Sequence, residues 1–203
     1  MNYKKKYKKY KLKYLNLKSK YYLMNGKNLK NVYGNKLNKC QKINLDKGSW
    51  DNMGYCSEQG TNTGLHQICF DVKNENKNFA IDTNQGTNWS ENRINKNHCM
   101  CLGAYALYKT KQKKKLIDSN SKNELICDAI PDTVFNPDYV SNWNKWNGNE
   151  INEQARYGLE ELVSQCRIDA KDEKSKKYLE KKYCDLANKK IELKSDFYKK
   201  ICK

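Results

Sequence analysis

Apolar residues recur along the first 25 positions with a regular beat. Tyr3, Tyr7, Tyr10, Tyr14, Leu17, Tyr21 and Met24 are spaced 4, 3, 4, 3, 4 and 3, with lysines filling most other positions. That spacing is one face of a helix. Asn25-Gly26 ends it. Lysine repulsion opposes a lone helix, so a solvated, disordered arm competes with a helix that docks on a partner or an anionic surface.

From Cys40 to about Tyr108 the texture changes to glycine, asparagine and short apolar pieces, and no helical period persists. Two strands are expected, at residues 65–72 and at Phe79-Ala80-Ile81, which Asp82 ends. Residues 100–108 begin a helix that carries Cys101, and 111–115 form a solvated stop. Further on, 125–130 reads as a buried strand closed by Pro131, and Pro131 and Pro137 fall in turns flanking Val134-Phe135. Trp143 and Trp146 lie three apart on a short helix within 139–149, as core residues packed on the body. Residues 151–166 form an amphipathic helix with Ile151, Ala155, Leu159, Leu162, Val163 and Cys166 on one side. A single longer helix is expected over 171–203, with Leu179, Tyr183, Leu186, Ile191 and Ile201 among charged residues.

The pattern predicts an α+β protein: a small, loop-rich mixed domain with short strands, a basic N-terminal arm and C-terminal helices. Residues 1–30 are the arm and linker, 31–116 the central domain, and 117–203 an extension of strand then helices packed on it.

Charge sharpens this division. The formal net charge of the 203-residue chain is +17, and residues 1–39 hold thirteen lysines and no acidic residue. With 40 basic residues in all, 27 remain against 23 acidic ones in 40–203, or +4. Basicity belongs to the arm. Its expected partners are nucleic acid or an anionic surface, met through residues 1–25 in a sequence-blind, salt-sensitive way. The cluster Lys4-Lys5-Lys6 with Lys8-Lys9 also matches a nuclear-localisation pattern. Lysine far outnumbers arginine (Arg93, Arg156 and Arg167 only), and asparagine and tyrosine are abundant, a bias that AT-rich codons alone produce.

No apolar run approaches the roughly 18 residues of a membrane span, and the basic start leads into no apolar signal core. The expected setting is therefore intracellular and mostly reducing, with thiols or metal thiolates favoured over structural disulfides. On that reading the sequon Asn88-Trp89-Ser90 has no role, and Cys166, Cys184 and Cys202 are small buried hydrophobes.

Candidate chemistry concentrates in residues 53–101. Both histidines, His66 and His98, lie there with Cys56, Cys69, Cys99 and Cys101, and Cys40 stands just upstream. Thiolate and imidazole bind borderline metals, and a thiolate is also a nucleophile or redox centre. Cys56, His66, Cys69, Cys99 and Cys101 supply enough ligands for one structural zinc, although they lack the usual Cys-x2-4-Cys knuckle. A thiol-dependent enzyme is the alternative, with His66 as base for Cys69, Cys56 or Cys101. A redox bridge within Cys99-x-Cys101 is disfavoured, because one intervening residue strains it. A third reading is bland: buried cysteines and a histidine bonded to a turn.

The residues Asn31-Val32-Tyr33-Gly34 with Leu37 and Cys40, then Gly54-Tyr55-Cys56, Gly64-Leu65-His66-Gln67-Ile68-Cys69 and Cys99-Met100-Cys101 give 31–105 a resemblance to domain-of-unknown-function family 2237. The resemblance implies a compact mixed α and β domain with no assigned activity. Asn52-Met53, Asn62, His98 and Ala104-Tyr105 depart from it where the family tends to carry charged or other aromatic residues. The Cys and His positions stand, so any chemistry is expected to use sulfur and imidazole. The arm separately resembles the Lys-Tyr-Leu repeats that open many proteins of mimivirus-like giant viruses, which implies a viral origin and a place in host cytoplasm or virion. The sequence thus leans toward a non-enzymatic accessory protein.

Overall fold

The computed structural model describes residues 29–41, 48, 51, 53–57, 65–119, 121–148 and 150–203. The heptad-like face in residues 1–25 lies outside them.

Two strands, β1 (Ile68–Val72) and β2 (Lys96–Met100), pair antiparallel, with Ile68 opposite Met100, Cys69 opposite Cys99 and Phe70 opposite His98. The expected strand at 65–72 is β1. Four of its five residues are buried. Its outer edge is covered by residues 124–126: Asp71 N donates to Glu124 O, Ile126 N to Cys69 O, and Phe70 bridges Leu125. That contact corrects the strand expected at 125–130. Leu125 makes a single bridge, and the chain then tightens into a 3-10 turn at Cys127–Ala129. Pro131 lacks an N–H for a ladder, and Ile130 O instead accepts from Val32 N.

Between the strands, Phe79–Asp82 is one helical turn, α1, rather than a strand. Thr83 Oγ1 donates to Phe79 O at 2.8 Å and closes the turn, and Phe79 points into the core, its ring 5.1 Å from Phe70 and 4.9 Å from Tyr108.

Helix α2 (Leu102–Lys113) starts as β2 ends and forms the centre of the molecule. Every residue from Leu102 to Thr110 is buried. A helix apolar on all sides must be covered on all sides. Helix α3 (Val140–Asn144), α4 (Gln154–Asp169) and α1 cover it. Gly158 of α4 faces Ala106 so closely that an added Cβ would lie 2.7 Å from Ala106 Cβ. The predicted helical start at Met100–Cys101 falls two residues early, and the expected lysine stop begins late, because α2 runs on through Lys111, whose Nζ donates to Asp82 O at 2.7 Å.

Trp143 sits on α3, fully buried, with Nε1 donating to Val134 O at 3.1 Å and its ring 6.4 Å from Tyr105. Trp146 lies beyond the end of α3, and its Nε1 donates to Thr83 O at 3.0 Å. Both tryptophans dock the C-terminal half on the body, though not from one helical face.

Helix α4 buries Ala155, Leu159, Leu162, Val163 and Cys166 as their spacing predicts; Ile151 precedes its first turn. The single helix expected over 171–203 is broken. Helix α5 (Glu173–Lys189) starts at Asp172, whose carboxylate accepts from Ser175 N at 2.7 Å. It ends before a 3-10 turn at Ile191–Leu193, and α6 (Asp196–Ile201) folds back behind the Ser195 cap. In one straight helix Cys184 and Cys202 would stand about 27 Å apart. They instead form a disulfide with Cα atoms 5.5 Å apart. The reversal buries Leu193 and brings Phe197 to 5.6 Å from Tyr183, leaving Ile191 exposed.

Candidate functional site

The register of the sheet builds the site. Cys69 and Cys99 are direct cross-strand partners, so both side chains leave one face of the sheet side by side. They do not bond to each other. Cys69 bonds Cys40 and Cys99 bonds Cys56, giving two adjacent disulfides, all four cysteines fully buried. The sulfurs of Cys40, Cys56 and Cys99 lie within 4.8 Å of one another, the one such grouping of three or more His, Cys, Asp or Glu ligand atoms among the described residues.

Backbone hydrogen bonds position the two partner loops. Gly54, at φ +97°, turns its carbonyl to accept from both Cys40 N (2.8 Å) and Gln41 N (3.0 Å). Only glycine adopts that conformation readily. Asn97 Nδ2 donates to Cys40 O at 2.7 Å, and Gln41 Nε2 donates back to Asn97 O. Upstream, Asn31 Oδ1 accepts from Tyr33 N and Asn35 N and so shapes the Asn-Val-Tyr-Gly turn that leads into Leu37 and Cys40. Gly34 there has φ +79° and lies against the Tyr178 ring. These motif residues are architectural.

His66 and Cys101 form a second, separate pair. Cys101 Sγ lies 2.6 Å from His66 Nε2, and the two residues are 4% and 6% exposed. Cys101 occupies the N-cap position of α2 without a side-chain capping bond, its extended backbone joining β2 to the helix, and Leu102 N donates to Leu65 O beside His66. His66 is itself bridged to Ser57. Burial pushes the Cys101 thiol well above its ordinary 9.0, and a backbone hydrogen bond opposes this more weakly. Desolvation disfavours the thiolate. The thiol is thereby held protonated beside the imidazole.

The five predicted ligands are thus divided. Cys56, Cys69 and Cys99 come together with Cys40, while His66 and Cys101 stand as a couple of their own. His98 points to the opposite face of β2 from Cys99 and stacks on Trp89, ring centres 4.3 Å apart. Sequence reasoning left Cys40 out of the ligand set, although its place in the Asn-Val-Tyr-Gly…Cys piece marked it.

Two further disulfides, Cys127–Cys166 and Cys184–Cys202, bring the total to four, so eight of nine cysteines are bridged and Cys101 stays a thiol. This overturns the expectation of thiols over disulfides and of hydrophobic roles for Cys166, Cys184 and Cys202. The fold sets each pair of Cα atoms 5.3–5.6 Å apart, the spacing a disulfide needs. Sequence distance hides that convergence.

Two surface grooves of about 310 and 290 Å³ lie elsewhere. One is lined by Asp132, Phe135 and Lys182, the other by Lys109, Ser121 and Glu161, and neither includes Cys101 or His66. No helix among the described residues is long and apolar enough to cross a membrane. No family model, curated protein or solved structure matches the chain.

Proposed function

We propose that this chain is a non-enzymatic accessory protein whose sulfur centre is structural and that it works in an oxidising setting. The observation that carries the reading is the pairing of eight cysteines into four disulfides, two of them side by side behind the sheet. Such frameworks persist outside reducing compartments, virus particles among them. Of the two settings the sequence suggests, the virion suits this chemistry better than host cytoplasm. The resemblance of 31–105 to family 2237 and of the arm to giant-virus repeats fits an accessory role, and the lysines of residues 1–25 suit an anionic partner such as nucleic acid.

A second reading rests on the 2.6 Å contact between Cys101 and His66, the arrangement a thiol-dependent enzyme uses to activate its nucleophile. Burial of both groups and the raised thiol weigh against it. One experiment separates the two. Intact mass without reductant is expected to fall eight hydrogens below the fully reduced mass, two for each of four disulfides. Iodoacetamide on the native protein is expected to label Cys101 slower than an unstructured cysteine peptide. A missing mass deficit defeats the structural reading, and labelling of Cys101 faster than the peptide installs the enzyme in its place.

A further inference from the structure

We infer that Cys40, Cys56, Cys69 and Cys99 become a tetrathiolate zinc site when their two disulfides are reduced. The inference deepens the structural reading and rests on its pairing of these four sulfurs. It also replaces the mixed set of Cys56, His66, Cys69, Cys99 and Cys101 with four sulfurs from four different chain segments.

Geometry makes the case. Zinc holds thiolate sulfurs at about 2.3 Å, which sets the edges of an S4 tetrahedron at about 3.8 Å. Three of the sulfurs already lie within 4.8 Å of one another, and the fourth, that of Cys69, is bonded to Cys40 within the same group. Closing the tetrahedron therefore takes side-chain rotations rather than a new fold. Cys69 and Cys99 stay opposed on the sheet through the β1–β2 ladder, whatever the state of sulfur. Cys40 and Cys56 are held by bonds that do not involve sulfur: Cys40 N to Gly54 O, two residues from Cys56, and Asn97 Nδ2 to Cys40 O. All four positions are fully buried, so no water competes for the metal.

His66 and Cys101 are set apart from the site by their own contact. They neighbour it along the chain, three residues before Cys69 and two after Cys99, without joining it.

The reaction balances with a dithiol or phosphine as reductant. Each disulfide takes two electrons and two protons, its S–S bond breaks and two thiols form. The dithiol leaves as its cyclic disulfide, or the phosphine as its oxide with oxygen from water. Zn²⁺ then binds as four thiol protons pass to buffer. Oxidation by two equivalents of a small-molecule disulfide runs the other way: two S–S bonds form in the protein, each oxidant S–S bond takes two electrons and two protons to become two thiols, and Zn²⁺ is released. One set of four cysteines thus clamps the same loops by two bonding schemes, covalent in an oxidising setting and metal-based in a reducing one.

The test is zinc stoichiometry of the full chain, reduced with phosphine under anaerobic conditions in the presence of Zn²⁺ and freed of excess metal. One zinc per chain is expected in the reduced protein and none in the oxidised one. Co²⁺ in place of Zn²⁺ is expected to show the thiolate charge-transfer and tetrahedral bands of an S4 site. Cys40→Ser should weaken binding at least tenfold, while Cys101→Ser and His66→Ala keep a full equivalent. A variant with Cys127, Cys166, Cys184 and Cys202 all replaced by serine should also keep it. A reduced protein that stays metal-free, folded or not, overturns the inference. So does loss of zinc in Cys101→Ser or His66→Ala, which would restore the mixed site. A zinc-free reduced protein that shows four disulfides before reduction sinks this inference alone; missing disulfides in the untreated protein sink the structural reading instead.

Discussion

The two halves of this molecule are held together by different means. The sheet half has one two-stranded sheet, a single-turn helix and long irregular connections, and its two disulfides tie segments 29 and 43 residues apart. The C-terminal half packs α3 and α4 on α2, and α5 on α4, through apolar faces, and its last disulfide closes only 18 residues. Helices satisfy their own backbone and need only a buried face. An irregular segment has neither advantage, so cross-links take on the task that periodic packing performs elsewhere. Each half carries two disulfides, but those of the sheet half tie irregular loops to strands, whereas those of the C-terminal half tie α4 to the 3-10 turn at Cys127–Ala129 and α5 to the residue after α6.

The largest effect expected from breaking this contrast comes from the body disulfides. Cross-linking stabilises by restricting the unfolded chain, more for longer loops. Replacing Cys56 and Cys99 with alanine, which opens the loop spanning 43 residues, is expected to cost about 4 kcal/mol. Replacing Cys184 and Cys202, 18 residues apart, is expected to cost about 3 kcal/mol and to release α6 while the rest of the fold stands. Urea unfolding of both double variants measures the difference. Equal losses, or a greater loss at the C-terminal bridge, would show that the helical half depends on its disulfide as much as the body does.

The joint between the halves tests the same contrast at smaller cost. Lys109 of α2 and Glu124 form a 2.7 Å ion pair, with side chains 7% and 1% exposed. Beyond Glu124 the chain covers β1, and Gln165 of α4 bonds both N and O of Leu125. Glu124→Gln leaves a buried ammonium without its counter-charge and is expected to cost about 3 kcal/mol, toward the low end for a broken buried pair because the amide still accepts a hydrogen bond. Lys109→Met with Glu124→Leu is expected to recover most of that loss. If the double variant is as unstable as the single one, the polar joint is needed for the register of 121–126 and not only for charge balance.

Much of this was legible in the sequence, and the failures share a physical cause. Helix α4 was readable because Ala155, Leu159, Leu162, Val163 and Cys166 share a face that depends on local spacing alone. Strand β1 was readable in Ile68–Val72 for the same local reason. The break after α5 was not, since no proline or glycine marks it; a disulfide from Cys184 to Cys202 and the burial of Leu193 impose it from a distance. The apolar run at 125–130 looked like a strand because burial and strand composition coincide, whereas its hydrogen bonds are shared among β1, residue 32 and its own 3-10 turn. At the site, the concentration of Cys and His in 53–101 was visible, but nine cysteines allow many pairings and sequence spacing does not choose among them. Spacing offers His66 to Cys101, Cys69 and Cys56 alike, and it offers no sign of the bond between Cys40 and Cys69.

The smallest effect is that of the Cys101 thiol just above pH 9, where it separates from the phenols. Burial raises Cys101 well above 9.0, and it raises Tyr33, Tyr105, Tyr108 and Tyr183 above 10.0. Each is an acid that the fold keeps protonated. Above pH 9 the unfolded chain loses the Cys101 proton while the folded chain holds it, so the unfolded state binds fewer protons and stability falls as pH rises. The contribution is intact below pH 9 and declines by about 1.4 kcal/mol per pH unit per group above its unfolded value. Urea midpoints at pH 8, 9.5 and 10.5 are therefore expected to fall in two stages, the thiol from pH 9 and the tyrosines from pH 10. Cys101→Ala should abolish the first stage and leave the second, whose tyrosines lie both on α2 (Tyr105, Tyr108) and on α5 (Tyr183). A first stage that survives the substitution would assign it to another group. A midpoint that rises between pH 8 and 9.5 would mean that Cys101 ionises more readily folded than unfolded, which is the behaviour of an imidazole-activated nucleophile and not of a thiol held in a core.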